Sequence, residues 1–402
     1  MKAAKITLPL GFRFAGMSCG LKKGQALDLG LLTSEVPASA AAVFTQNCLQ
    51  AAPVSISREH LRAGGGRMRA VVVNSGNANC ATGAAGVRAS RSTAAAASRL
   101  AGCAPQQVFI CSTGVIGVPL PAEKVLHALP ELFRAQESSP AAFSRFARAI
   151  MTTDKKPKWA SAAFRAGAEI VRVAGCAKGS GMIHPDMATM LAFLVTDAQA
   201  APPVLQRALS DVVGRTFNAV SVDGDTSTND TVLLLANGAS QCPSIHQGGK
   251  AYNAFLHALE GVCRSLAFQM VADGEGARRV IEIEVRGAAS QADARRIAAT
   301  IATSALVKTA FAGGDPNWGR VLAAAGRAGV PLDPSRASIV MAGIPVYRAG
   351  RPLPFNERAA NRKLLVPRVP VILDLHAGRA SARYWTCDLT AGYVRINSSY
   401  RT

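Results

Sequence analysis

Short aliphatic, β-branched runs alternate with alanine-rich stretches along the whole chain, and this alternation restricts the fold more than any other property. Ala70–Gly76 (AVVVNSG) and Val108–Cys111 read as buried strands. Ile170–Val173, Thr189–Thr196 (TMLAFLVT), Asn218–Val222, Thr231–Leu235, Val371–Leu375 and Ala382–Asp388 read as further strands. Arg88–Leu100, Pro121–Gln136, Ala141–Met151, Leu205–Thr216, Tyr252–Met270 and Trp318–Ala328 carry helical patterns. VIEIEV at Val280–Val285 alternates with period two, which predicts one solvated face. Strands and helices in alternation predict an α/β chain with layered sheets. With 402 residues and 49% hydrophobic composition there is ample material for a core, which excludes a disordered protein. No internal repeat appears, and the one strong composition break falls near residue 188.

The formal charge is +20, which invites a nucleic-acid reading. The positive residues are scattered, without a Lys/Arg block or interleaved aromatics, so no nucleic-acid partner is expected. Nine cysteines form no C-x-x-C pair, and six histidines show no metal-ligand spacing. Small buried thiols in a reducing compartment, and no metal site, are expected. The first residues, MKAAKITLPLGFRF, lack the apolar core of a signal peptide. No run approaches the roughly 18 apolar residues that cross a bilayer. A cytoplasmic location without a membrane partner is the expectation.

Chemistry concentrates in Lys178–Leu191 (KGSGMIHPDMATML), where a small-residue loop is expected to run into an apolar strand opening with Thr189. Glycine lets a backbone approach a reacting centre, and a hydroxyl at the start of a buried strand is held rigidly. If the bond before Thr189 were cut, a new α-amino group would stand on the nucleophile's own residue. Its ordinary pKa of roughly 8 suits it to accept the hydroxyl proton. The cut has a route: the hydroxyl attacks the preceding carbonyl, an N→O shift gives an ester, and water hydrolyses it. Ala188 is small and leaves that carbonyl approachable. The plain alternative is an ordinary strand threonine.

GSGMIHPDMATML (Gly179–Leu191) resembles the autoprocessing site of the ornithine acetyltransferase/glutamate N-acetyltransferase family of arginine biosynthesis. Collinear matches cover nearly the whole chain. They are VPASAAAVFTQN (Val36–Asn47), APVSISREHL (Ala52–Leu61), VVNSGNANCATG (Val72–Gly83), STGVIG (Ser112–Gly117), FNAVSVDGDTSTNDTV (Phe217–Val232), VADGEGA (Val271–Ala277), GGDPNWGR (Gly313–Arg320) and YVRINSSYRT (Tyr393–Thr402). The resemblance implies a layered α-β-β-α sandwich and a precursor that cuts itself between Ala188 and Thr189. Residues 1–188 and 189–402 would be the two pieces, assembling two plus two. It implies ping-pong transfer of acetyl from N2-acetylornithine to glutamate, without a cofactor, with acetyl-CoA as a further possible donor. The alternative is a self-processing N-terminal-threonine amidohydrolase or aminopeptidase, which gives the acyl group to water.

By the same resemblance Thr189 is the nucleophile, and Thr113 and Gly114 are the oxyanion-hole pair. Lys178, Glu275, Asn397, Thr402 and one threonine of MTTD contact substrate together with Thr189. Thr152 is the favoured threonine, with Thr153 beside it. Each has a plainer reading: Thr113-Gly114 as a strand-ending turn, Lys178 as a solvated lysine, Glu275 as an exposed turn residue, and the tail as frayed. Two departures bear on substrate preference. Lys155 and Lys156 follow MTTD where a threonine and short spacer are expected, and Arg278 stands where Thr or Ser is expected. One rival remains. SVDGDTS (Ser221–Ser227) resembles a D-x-D phosphotransferase motif, with Asp223 as nucleophile and Mg²⁺ held with Asp225; turn chemistry also explains it.

Overall fold

The structure is a computed structural model and describes residues 6–184 and 190–399. Its strands are β1 (Phe12–Met17), β2 (Leu29–Phe44), β3 (Arg67–Asn77), β4 (Val108–Val115), β5 (Lys158–Ala166), β6 (Glu169–Lys178), β7 (Leu191–Thr196), β8 (Val220–Ser221), β9 (Thr231–Ala236), β10 (Val280–Ala288), β11 (Ser338–Met341), β12 (Ile344–Arg348), β13 (Arg351–Pro352), β14 (Arg368–Asp374) and β15 (Ala380–Cys387). The first sheet has the order β4-β3-β2-β9-β7-β6-β5, with β1 on β2. The second has the order β13-β12-β11-β14-β10-β15-β8.

Strand periodicity sorts the first sheet's side chains into separate cores. Val71 and Val73 of β3, Cys176 of β6, Phe193 of β7 and Leu233 of β9 share an inner core with Phe143 and Phe146 of the helix Pro140–Ala149. Their neighbours point outward. Ala70 and Val72 pack under the helices Gly83–Ala101 and Ala122–Arg134. Leu194 and Leu234 pack under Pro202–Arg215 and Lys250–Ala272. Each half of the first sheet thus has helices on its outer face, and the two halves share an inner core with Pro140–Ala149, in keeping with the expected layered α-β-β-α sandwich. Long β2 joins the halves. Its first part pairs with β1 and β3 and its last part with β9. The register on β3 slips between Thr33 and Ala38, around exposed Glu35, Val36 and Pro37. Proline has no N–H to give the ladder, so the strand bends there.

β2 escapes the sequence patterns, because its second half is ASAAA and carries little strand propensity. Two expected loops are strands. β4 extends to Val115 and takes Thr113 and Gly114 into its ladder; β6 extends to Lys178 instead of ending at Val173. Asn218–Val222 contracts to the two residues of β8. VIEIEV behaves as expected: its valines and isoleucines are buried, while Glu282 and Glu284 reach outward to Arg368, Arg286 and Arg383. β6 pairs with β7, Lys178 opposite Leu191, and β9 lies between β7 and β2. Strands from both sides of residue 188 therefore share one sheet.

Candidate active site

Thr113, Gly114, Thr152, Thr153, Lys178, Glu275 and Asn397 line one cleft of about 230 Å³. That is below the roughly 300 Å³ at which clefts for drug-sized ligands begin, so a small metabolite suits it. Ala188, Thr189 and Thr402 lie outside the described residues.

Parallel pairing of β3 and β4 brings Gly114 against Gly76, where the register slips. Gly114 has φ +133°, and a Cβ there would lie 2.4 Å from the Gly76 carbonyl carbon and 2.5 Å from the Asn77 nitrogen. Only glycine fits this corner. Asn229 fixes the corner by donating from Nδ2 to the Ala78 carbonyl at 2.7 Å and the Ser112 carbonyl at 2.9 Å. Under the oxyanion role that the family resemblance implies for Gly114, Gly114→Ala is expected to reduce turnover about 10²- to 10³-fold, the effect of losing one such donor. Steady-state kinetics on the folded variant check this.

Lys178 ends β6 at 3% exposure, not as a solvated lysine, and its Nζ donates to Thr113 Oγ1 at 3.2 Å. Burial pulls its pKa down, while Asp154, Asp230 and Glu275 oppose that shift and Lys158 adds to it. An ammonium has no lone pair, so Thr113 Oγ1 must accept, which leaves the Thr113 hydroxyl hydrogen free to point into the cleft.

Three site segments meet on a buried ion triad. Lys158 Nζ lies 2.6 Å from Asp154 Oδ1 and 2.7 Å from Asp273 Oδ2, with the lysine side chain fully buried. Asp154 also accepts from the Thr152 and Gly179 amides at 3.0 and 2.7 Å. Asp273 accepts from the Lys155 amide at 3.0 Å. Burial pushes the Asp154 carboxyl up, but Lys158, Lys178 and the Gly179 amide outweigh it and hold the pKa down to about 2. Thr153 Oγ1 and Ser180 Oγ share a hydrogen bond of 2.7 Å, which occupies the Thr153 hydroxyl. The Lys155 and Lys156 side chains are exposed and do not line the cleft.

Glu275 is 5% exposed, its amide donating to the Ser180 carbonyl at 2.8 Å. A Cβ on Gly181 would stand 2.5 Å from Glu275 Oε2, so that glycine makes room for the carboxylate. Asn397 Nδ2 donates to Glu275 Oε2 at 2.8 Å from the tail helix Ala391–Ser399. Tyr393 of that helix donates its hydroxyl to Asp223 Oδ2 at 3.3 Å. The tail is therefore tied over the cleft as far as Asn397. Asp223 is occupied otherwise than a phosphotransferase nucleophile would be. Its carboxylate accepts the Met182 and Ile183 amides at 2.6 and 2.9 Å and shapes the turn that follows β6. Among the described residues no three His, Cys, Asp or Glu side chains are grouped to hold a metal ion.

Lys158, Asn229, Asp230 and Tyr393 escaped the sequence reading as site residues. Three of them stand within the matched stretches or beside one, but nothing local in the sequence distinguishes a buried polar side chain from a solvated one.

A layered α/β enzyme is the class that this fold and cleft define, with a glycine-backed donor corner facing a buried lysine and a buried carboxylate. The chain belongs to the ArgJ family, whose profile matches residues 13–402. It is 49% identical to the arginine biosynthesis bifunctional protein ArgJ of Thermus thermophilus, over 99% of this chain and 100% of that protein. It is 45% identical to the protein of the same name from Thermosynechococcus vestitus, over 99% and 98% of the two chains. Among solved structures, a chain of the Bacillus halodurans ArgJ protein is 40% identical, with TM-score 0.51. The match covers 52% of this chain and 98% of that one.

Proposed function

We propose that this protein is a self-processing acyltransferase of arginine biosynthesis, moving the acetyl group of N2-acetylornithine to glutamate through an ester on Thr189. The observation that carries the reading is the convergence of Thr113, Gly114, Thr152, Lys178, Glu275 and Asn397 on one cleft at the end of β6, the strand that precedes the Ala188–Thr189 bond in the chain.

Cleavage at that bond frees the Thr189 amine. In the transfer reaction the acetylornithine carbonyl rests against Thr113 and Gly114. The Thr189 hydroxyl attacks it and its own amine takes the proton. The tetrahedral oxyanion is held by the Thr113 hydroxyl, which Lys178 polarises, and by the Gly114 amide. Collapse breaks the C–N bond, ornithine leaves with the proton, and an acetyl ester remains. The amine of glutamate then attacks the ester and releases N-acetylglutamate and the free hydroxyl. The ester conserves the acyl group, so no cofactor is required, and acetyl-CoA as a donor would load the same hydroxyl. Thr152 serves as the substrate threonine, in keeping with the engagement of the Thr153 hydroxyl by Ser180. Thr402 completes the substrate contacts of the tail.

The pieces remain together after cleavage because β6 and β7, and β2 and β9, are ladder partners across the cut, and they assemble two plus two. The unpaired state of all nine cysteines supports a reducing compartment, the cytoplasm. No helix among the described residues is long and apolar enough to cross a membrane.

Intact mass and N-terminal sequencing, followed by an assay of acetyl transfer from N-acetylornithine to glutamate, test this function. The expected result is a second N-terminus at Thr189 and N-acetylglutamate formed together with ornithine. Release of acetate with glutamate unable to compete would instead identify an amidohydrolase.

A further inference from the structure

The shortness of β8 leaves the edge of β15 open. β8 pairs only with Trp385 and Thr386, so Ser381–Tyr384 have no strand on that side among the described residues. A second cavity, of about 660 Å³, lies along this edge. That size falls within the roughly 300–1,000 Å³ of small-molecule sites. The end of the helix Pro202–Arg215, the helix Lys250–Ala272 and the helix Gln291–Ala302 supply the rest of its wall. It shares no wall residue with the cleft of the candidate active site.

Five arginines line the cavity, Arg215, Arg264, Arg295, Arg296 and Arg383, against two glutamates. Both glutamates are already engaged. Glu260 pairs with Arg215 at 3.1 Å and also with Arg264. Glu284 pairs with Arg286 at 2.8 Å and with Arg383 at 3.6 Å. Arg295 and Arg296, neighbours on the helix Gln291–Ala302, have no carboxylate partner among the described residues. Like charges gathered round a concavity focus a positive potential into it. Trp385 belongs to the same wall at 5% exposure, and its Nε1 is buried without an acceptor. Guanidinium and indole groups only donate. What this wall leaves unpaired therefore calls for acceptor oxygens, and its charge repels a cation.

We propose that the cavity binds a small, multiply charged oxyanion, held chiefly by Arg295 and Arg296. Planar guanidinium forks match the paired oxygens of phosphates and carboxylates alike. Phosphate esters and polycarboxylates are thus the two sources of one chemistry. The site is separate from acetyl transfer and does not depend on the function proposed above.

Titration calorimetry of the self-processed protein with pyrophosphate and with citrate, in about 0.15 M sodium chloride to screen diffuse attraction, tests the proposal. The expected result is saturable binding of one ligand per chain, and the tighter of the two probes identifies the source. Arg295→Gln combined with Arg296→Gln should weaken that binding about 10- to 100-fold, the effect of losing charge-assisted hydrogen bonds. Arg348→Gln combined with Arg351→Gln removes the same charge from exposed arginines outside the cavity and should leave the affinity unchanged. Both double variants should keep the parent's transfer activity in the absence of the probes. No saturable binding of either probe at millimolar concentration overturns the proposal. Binding that survives Arg295→Gln with Arg296→Gln, or that falls equally in the two double variants, overturns it as well.

Discussion

Thr189→Ala is expected to yield a single uncut chain of 41.7 kDa with acetyl transfer reduced on the order of 10⁴-fold or more, as when a covalent nucleophile is removed. One hydroxyl does two jobs in the proposed chemistry. It breaks the backbone in the precursor and then carries the acetyl group in the mature enzyme. Alanine removes both, so the loss should appear in the chemistry. Thr189→Ser keeps the hydroxyl and should be cut and active. Denaturing electrophoresis, intact mass and the transfer assay give the readouts, and a Thr189→Ala chain still severed at the same bond contradicts the assignment.

Lys158→Met is expected to destabilise the protein by about 3–5 kcal/mol, the cost of breaking a buried ion pair by removing one partner. Methionine approximates the lysine stem but leaves Asp154 and Asp273 facing each other in the core without their cation. Denaturant titration measures the loss, and an unchanged midpoint would count against the triad. Activity should fall as well, chiefly through KM. The triad joins the Thr152–Asp154 turn, Gly179 after Lys178, and Asp273 two residues before Glu275.

The triad also sets an acid limit. Asp154 is held at about 2 in the folded protein, below its ordinary 3.8. Its stabilising contribution is therefore complete above about pH 4 and disappears as the pH falls toward 2. The parent should lose stability over that window, and Lys158→Met should lose less, because the main cation depressing Asp154 is gone.

Much of the architecture was legible because it is written in local periodicity. The continuous apolar runs of β3 and β9, the two-residue alternation of β10, and the helical patterns around Arg88–Leu100 and Tyr252–Met270 report which residues are buried whatever they pack against. β2 was not legible, because ASAAA is apolar enough to bury but has no strand signature. Its place follows from pairing with β1, β3 and β9, which are distant in sequence or dissimilar in pattern. The ends of β4 and β6 were misread as loops because glycine normally interrupts strands. Here Gly114 is required by the close approach of Gly76, a contact visible only once β3 and β4 are paired.

By itself, then, the sequence determined the layered α/β class, the family, and a set of candidate site residues carried on short motifs. Tertiary structure decided that MTTD, the end of β6, DGEGA and the tail helix surround one cleft, and that the tail is held there by Asn397 and Tyr393. It decided also that Lys158 and Lys178 are buried while Lys155 and Lys156 are solvated, though all four look alike in one dimension. The reason is physical. Periodicity is a property of neighbouring residues, whereas the burial and partners of an ionisable group are set by segments far apart in the chain.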